Sequence, residues 1–175
     1  MKLKKTSITN YRCFKEAEID FDEHTTLIVG KNGAGKTAIL DAVAVAISTF
    51  LLGIDGGVSR SISKDDARYE FYDLDGTVDP QHQFPVSIES TGDCLDNHDV
   101  KWVRSLNSES GNTTVKEARE LTNISKNTQK RIMTGDKSLI LPLISYYGTG
   151  RLYAQKKEKK NIKSCLLYTS PSPRD

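Results

Sequence analysis

Hydrophobic and polar positions alternate near the start of the chain. Ala17, Ile19 and Phe21 are interleaved with Glu18 and Asp20, the period of a half-buried strand. With residues 3–11 before them, they predict two short strands. Thr25 to Val29 (TTLIV) is a compact β-branched run and predicts a fully buried strand. Beyond a glycine-rich stretch, residues 38 to about 52 are apolar nearly all round, which predicts an interior helix. Gly53, Gly56 and Gly57 should end it.

Further on, residues 84–91 and 100–105 predict an antiparallel pair with Val86, Ile88, Val100 and Trp102 on one side. Ser63 with Asp66 resembles a capping box for a short helix. Thr114 with Glu117 predicts a better one, opening a helix from Lys116 to about Met133 that Gly135 stops. Leu139 to Tyr147 (LILPLISYY) predicts another buried strand, with Pro142 marking an end or an irregularity. No internal repeat is visible. The mixture of periods points to an α/β fold.

Composition narrows the class. The 175 residues are 37% apolar and 27% charged, as in an ordinary folded domain and unlike a disordered chain. The net charge is +2, and Lys156–Lys163 (KKEKKNIK) concentrates five lysines against one glutamate, so the remainder is slightly acidic. Bulk charge therefore gives no support to nucleic-acid binding. The lysine run reads as the solvated start of a helical insertion more readily than as a DNA patch. Three cysteines make no disulfide framework, and their spacing fits no zinc site.

The lysines of MKLKKTSITN have no apolar run behind them. Residues 38–52 fall short of a bilayer span and carry Asp41. A soluble cytoplasmic protein without membrane contact is the expectation. The last eleven residues, CLLYTSPSPRD, look like the read-through translation of an adapter used in transposase-based sequencing libraries. Residues 165–175 are thus expected to be adapter-derived, and 1–164 to be the N-terminal part of a longer domain.

The chemistry lies in Gly30–Thr37, GKNGAGKT, a full match to G-x-x-x-x-G-K-[ST] placed between an apolar run and a helical one. Gly30, Gly33 and Gly35 admit backbone angles that side chains forbid, so consecutive N–H groups can turn inward around a phosphate. Lys31, Asn32 and Ala34 supply the backbone between them. The helix start adds its positive dipole end. Lys36 would reach the β- and γ-phosphates, and the Thr37 hydroxyl would ligate Mg²⁺. The plainer reading is a glycine-rich turn before a helix. The full motif in its right context favours nucleoside triphosphate binding.

NYRCF at Asn10–Phe14, an acidic strand and then GKNGAGKT resemble the opening of the SMC/RecF/OLD group of ABC-type ATPases. SISKDDAR (61–68), RSLNSESGNTT (104–114) and LPLISYYGTGRLYA (141–154) are similar to a narrower family of stand-alone bacterial ATPases of virulence or phage defence. The resemblance implies the first lobe of an ABC-type ATPase head: a P-loop core with an antiparallel β subdomain, binding ATP and Mg²⁺. It implies a homodimer that sandwiches two nucleotides and drives a partner, a nuclease or DNA, in repair or phage defence. It also implies that Arg12 approaches the nucleotide, and leaves roles for Arg151 and Gln155 open because GTGR stands where a glutamine is usual.

No apolar run ending in Asp-Glu, no LSGG-like signature and no switch histidine occurs in the sequence, and no catalytic residue is assigned in it. His24, His82 and His98 read as surface residues. A non-hydrolytic module whose ATP holds a complex together is therefore the alternative. DLDGTV at Asp73–Val78 imitates a phosphatase motif, but the short, half-polar RYEFY before it favours a turn. A P-loop kinase would need an arginine-rich lid, and only Arg104 and Arg119 lie between Val86 and Lys130.

Overall fold

In the computed structural model, residues 1–74 and 77–148 are described. Arg151, Gln155, the lysine run and residues 165–175 lie outside them. The centre is a four-stranded antiparallel sheet in the order β2-β1-β5-β6. Strand β1 is Lys2–Tyr11 and β2 is Phe14–Asp20; β5 is Val86–Cys94 and β6 is Asn97–Leu106. A separate hairpin pairs β3 (Tyr69–Leu74) with β4 (Thr77–His82). Helix α1 is Lys36–Ser48, continued by a 3-10 turn over Thr49–Gly53, and α2 is Arg119–Met133.

Register explains which face is covered. Ile8 stands opposite Ile88, and Val86 opposite Leu106. These residues and Tyr11 are buried against Ala38, Ala42, Val45 and Ala46 of α1. The alternation in β2 holds, with Ala17 and Ile19 half-buried beside exposed Glu18 and Asp20. The antiparallel pair also forms as expected, and Val86, Ile88, Val100 and Trp102 are all buried. A second cluster, Phe50, Cys94, Val100, Trp102, Ala118 and Leu121, closes the sheet's other end beneath α2. The Trp102 indole N–H donates to the Ala46 carbonyl at 3.0 Å, joining sheet to helix.

The seam between the 3-10 turn and α2 requires close backbone approach. A Cβ on Gly53 would lie 1.9 Å from Ser125 Oγ and 2.4 Å from the Thr122 carbonyl oxygen. Asp55 and Gln129 then exchange two hydrogen bonds, at 2.8 and 2.7 Å. Arg104, 2% exposed, donates from Nη1 to Thr49 and Ser59. Its Nε has no partner among the described residues, and burial lowers its pKa.

Several expectations need correction. Residues 25–29 form no strand, and Leu27 and Val29 are 82% and 78% exposed. Residues 139–147 also form no strand, and Leu143 is 94% exposed. A strand exists through the ladder it shares, and no described strand pairs with either segment. For the same reason α1 is covered on one side only, leaving Leu40 exposed. Its α-helical geometry ends at Ser48, before Leu52.

The helix expected from Lys116 begins as a 3-10 turn, Lys116–Ala118, without the capping box. Thr114 Oγ1 instead accepts the Ser105 N–H, which fastens the segment to β6. The Ser63–Asp66 box does form, at a 3-10 turn over Lys64–Asp66. Gly135, at φ 89°, follows α2 as expected. The phosphatase-like DLDGTV falls at the tip of the β3–β4 hairpin, with Asp75 and Gly76 outside the described residues. His82 is half-buried at the end of β4, whereas His24 and His98 are exposed.

Candidate functional site

The segment 30–37 wraps onto the start of α1 as a loop. Gly33 and Gly35 both sit at φ +84°, a left-handed conformation in which a side chain is strained. Gly35 is the N-cap of α1, and it accepts the Ile39 N–H at 3.1 Å. A Cβ there would lie 2.5 Å from Phe14 and 2.7 Å from Cys13 Sγ. The turn between β1 and β2 therefore rests directly on the end of the loop. Around Gly33 there is open space instead, with nothing within 4 Å of a Cβ.

Lys36 closes the loop. Its Nζ donates to the Gly30 and Lys31 carbonyls, each at 2.7 Å. Thr37 is exposed in the first turn of α1, where no acidic residue offsets the positive helix end. Lys31, Asn32, Gly33 and Ala34 are exposed as well, so their backbone is reachable from solvent. These groups suit an anion with several oxygens: a helix terminus, an ammonium and backbone freed by glycine. Thr37 supplies one oxygen for a divalent cation, and Mg²⁺ takes its remaining ligands readily from phosphates and water. The residues fit both groups.

Arg12 lies in the adjoining turn at φ +50°. Its Nη1 donates to Asp41 Oδ2 at 2.6 Å and its Nε to Asp66 Oδ1 at 2.8 Å, and its backbone N–H donates to the Asp66 carbonyl at 2.7 Å. Partial burial alone would lower the guanidinium's pKa. The neighbouring Tyr11 and the two carboxylates more than reverse this and hold it charged. Burial pushes the Tyr11 phenol up, and its hydroxyl has no partner among the described residues.

The structure thus brings Arg12 and the loop into one neighbourhood, but spends the arginine on two carboxylates. Sequence reasoning missed Asp41 and Asp66 as the partners of Arg12, and Arg60 and Tyr146 as further partners of Asp41. Asp41 carried a signal: a lone carboxylate inside an apolar helix has to be paired.

A family model for an AAA domain, AAA_23, matches residues 5–168. The chain belongs to this AAA-domain family. Among similar proteins is "DNA replication and repair protein RecF" of Flavobacterium johnsoniae, 54% identical over 43 residues, 25% of this chain and 12% of that one. "DNA double-strand break repair Rad50 ATPase" of Archaeoglobus fulgidus is 48% identical over 44 residues, 25% of this chain and 5% of that one.

A solved structure titled "Structural biochemistry of ATP-driven dimerization and DNA stimulated activation of SMC ATPases" aligns over 87% of this chain and 89% of its own at 18% identity. The TM-score is 0.45. The relatedness to RecF and Rad50 agrees with the resemblance read from Asn10–Phe14 and Gly30–Thr37, and the AAA domain is a P-loop α/β fold with an antiparallel sheet. The matched stretches span an eighth or less of those relatives' length. Among the described residues one helical stretch, Lys36–Gly53, is long and apolar enough by composition to cross a membrane. It starts on the loop lysine, carries paired Asp41 and lays one side on the sheet.

Proposed function

We propose that Gly30–Thr37 binds the phosphates of ATP, with Lys36 on the β- and γ-phosphates and Thr37 on Mg²⁺. One observation carries this reading. Two glycines at φ +84° turn the loop into a helix N-terminus while Lys36 Nζ reaches back to two loop carbonyls at 2.7 Å each. Arriving phosphate oxygens replace those carbonyls as acceptors for the ammonium, and the backbone N–H groups complete the cradle. Arg12 adds positive charge from the β1–β2 turn.

In the whole protein, ATP is hydrolysed by a head-to-head homodimer. The cycle drives a DNA-repair or phage-defence partner, such as a nuclease, in the cytoplasm. Support for that wider reading comes from two of the similar proteins, a DNA replication and repair protein and a DNA double-strand break repair ATPase.

Binding is tested by titrating a fluorescent ATP analogue with Mg²⁺ against the protein and its Lys36→Ala variant. Loss of the ammonium should weaken binding at least about 100-fold, since hydrogen bonds to charged groups contribute about 1.5–3 kcal/mol each. Cys13 offers a second readout, because its exposed thiol lies against Gly35 while Cys94 is buried. ATP–Mg²⁺ should slow alkylation of Cys13 in the wild type and leave it unchanged in Lys36→Ala. Equal affinity in the two proteins, with no protection of Cys13, would overturn the assignment. Phosphate release by the natural-length protein then separates hydrolysis from a purely binding role.

A further inference from the structure

Asp41 is a nearly buried carboxylate in the second turn of α1, 5% exposed, on a helix otherwise apolar or small along its covered side. It stands four residues after Thr37, on the same face of the helix. Its two oxygens have different partners. Oδ2 accepts Arg12 Nη1 at 2.6 Å, while Oδ1 accepts the Tyr146 hydroxyl and forms an ion pair with Arg60 Nη2 at 3.0 Å. Arg60 also lies over the Tyr146 ring, 5.2 Å from its centroid. Asp66, which takes the other side of Arg12, is itself fixed by the Ser63 N–H and hydroxyl, both at 3.0 Å.

An apolar side chain at position 41 would pack against the sheet without the desolvation cost of an ion. Burying a charge here gains register, because three segments distant in sequence meet on one carboxylate. One of them is the turn that touches Gly35. We propose that Asp41 is a positioning residue of the nucleotide site: Arg60 and Tyr146 fix its carboxylate, and the carboxylate fixes Arg12 beside the loop. The segment ending at Tyr146 thereby becomes part of the site's support. Holding a cation in place before the ligand arrives removes an ordering cost from binding.

This rests on the nucleotide reading above, and the experiment separates the two. ATP–Mg²⁺ affinity and thermal midpoint are measured on the full-length protein for wild type, Lys36→Ala, Arg12→Ala, Asp41→Asn, Tyr146→Phe and the two double variants Arg12→Ala/Asp41→Asn and Arg12→Ala/Tyr146→Phe. Arg12→Ala and Asp41→Asn should each weaken binding about tenfold, and their double variant no more than either alone, because the two act through one interaction. Tyr146→Phe should weaken it about threefold in wild type and not at all on the Arg12→Ala background.

A structural role would instead lower the thermal midpoint and leave the affinity of the folded protein intact. If Asp41→Asn does not fold, Tyr146→Phe, which removes one hydroxyl from a partly exposed ring, decides by the same cycle. Additive losses, or full affinity in both Asp41→Asn and Tyr146→Phe while Lys36→Ala abolishes binding, overturn the positioning role alone. No binding by wild type overturns the nucleotide reading and this role with it.

Discussion

The antiparallel sheet and the two apolar segments at 25–29 and 139–147 are built from the same residue types, yet the structure treats them oppositely. In the sheet, Ile8, Ile88, Val86 and Leu106 lie against α1 with little or no exposure. In the segments, Leu27, Val29, Ile140 and Leu143 face outward. The difference is partnership. Strands β1 and β2 join through a short turn, as do β5 and β6, so each supplies a ladder for its neighbour close in sequence. A buried parallel strand needs partners brought by long crossovers, and no described strand pairs with either segment. Apolar pattern thus reports what cover a segment requires, and only topology says whether the cover is there.

Substitutions measure this contrast directly. Trp102→Ala removes the largest fully buried side chain and its bond to Ala46. Its expected cost is about 3–5 kcal/mol in urea unfolding followed by circular dichroism. Leu27→Ala and Leu143→Ala, cut from the exposed segments, should change stability by under about 0.5 kcal/mol. Comparable losses in the two regions would show that 25–29 and 139–147 are covered in solution, and the contrast would collapse.

Next in size is Gly53→Ala, at the seam that closes the covered side. The new Cβ meets the Thr122 carbonyl oxygen at 2.4 Å, which is backbone and cannot swing aside, as well as Ser125 Oγ. The 3-10 turn must shift off α2, at about 1–3 kcal/mol. Ser125→Gly alongside it should recover only part of the loss, because the backbone clash stays. Full recovery would mean that the hydroxyl alone sets the spacing.

Legibility in the sequence follows the same division. The half-buried strand β2, the β5–β6 pair, the core of α1 and the loop at 30–37 could be read because their signals are local: alternation, helical run, glycine spacing. The body of α2 was legible and its start was not, since Thr114 is held by β6 through Ser105, a contact no spacing reveals. The glycine-rich loop could be placed, but the grip on Arg12 could not. Asp41, Asp66, Arg60 and Tyr146 converge from segments up to 105 residues apart. Arg104 shows the same limit, because nothing in RSLNSES says that its arginine lies buried opposite Ile88.

The smallest expected effect lies at the solvent rim of the covered sheet. Lys4 on β1 reaches Asp93 on β5 at 2.7 Å, next to the register shift between Leu3 and Lys5. The hydrogen bond from Lys4, helped by the Asp99 N–H, holds the Asp93 carboxyl down at about 2. A carboxyl depressed in the folded state adds stability that is complete above its unfolded value, near 4. That stability is lost as pH falls through about 2.

Lys4 is exposed and Asp93 only half-buried, so solvent screening keeps the pair's share small. The position of Asp93's titration is therefore a sharper observable than the stability. Lys4→Met should move the Asp93 carboxyl resonance upward toward the ordinary carboxylate range, and should flatten the acid limb of the stability curve between about pH 4 and 2. If Asp93 already titrates at the ordinary value in wild type, the tie between β1 and β5 at this rim is absent in solution. The junction would then rest on the ladder alone, including the close approach of Gly92 to the Lys2 carbonyl, where a Cβ would sit at 2.2 Å.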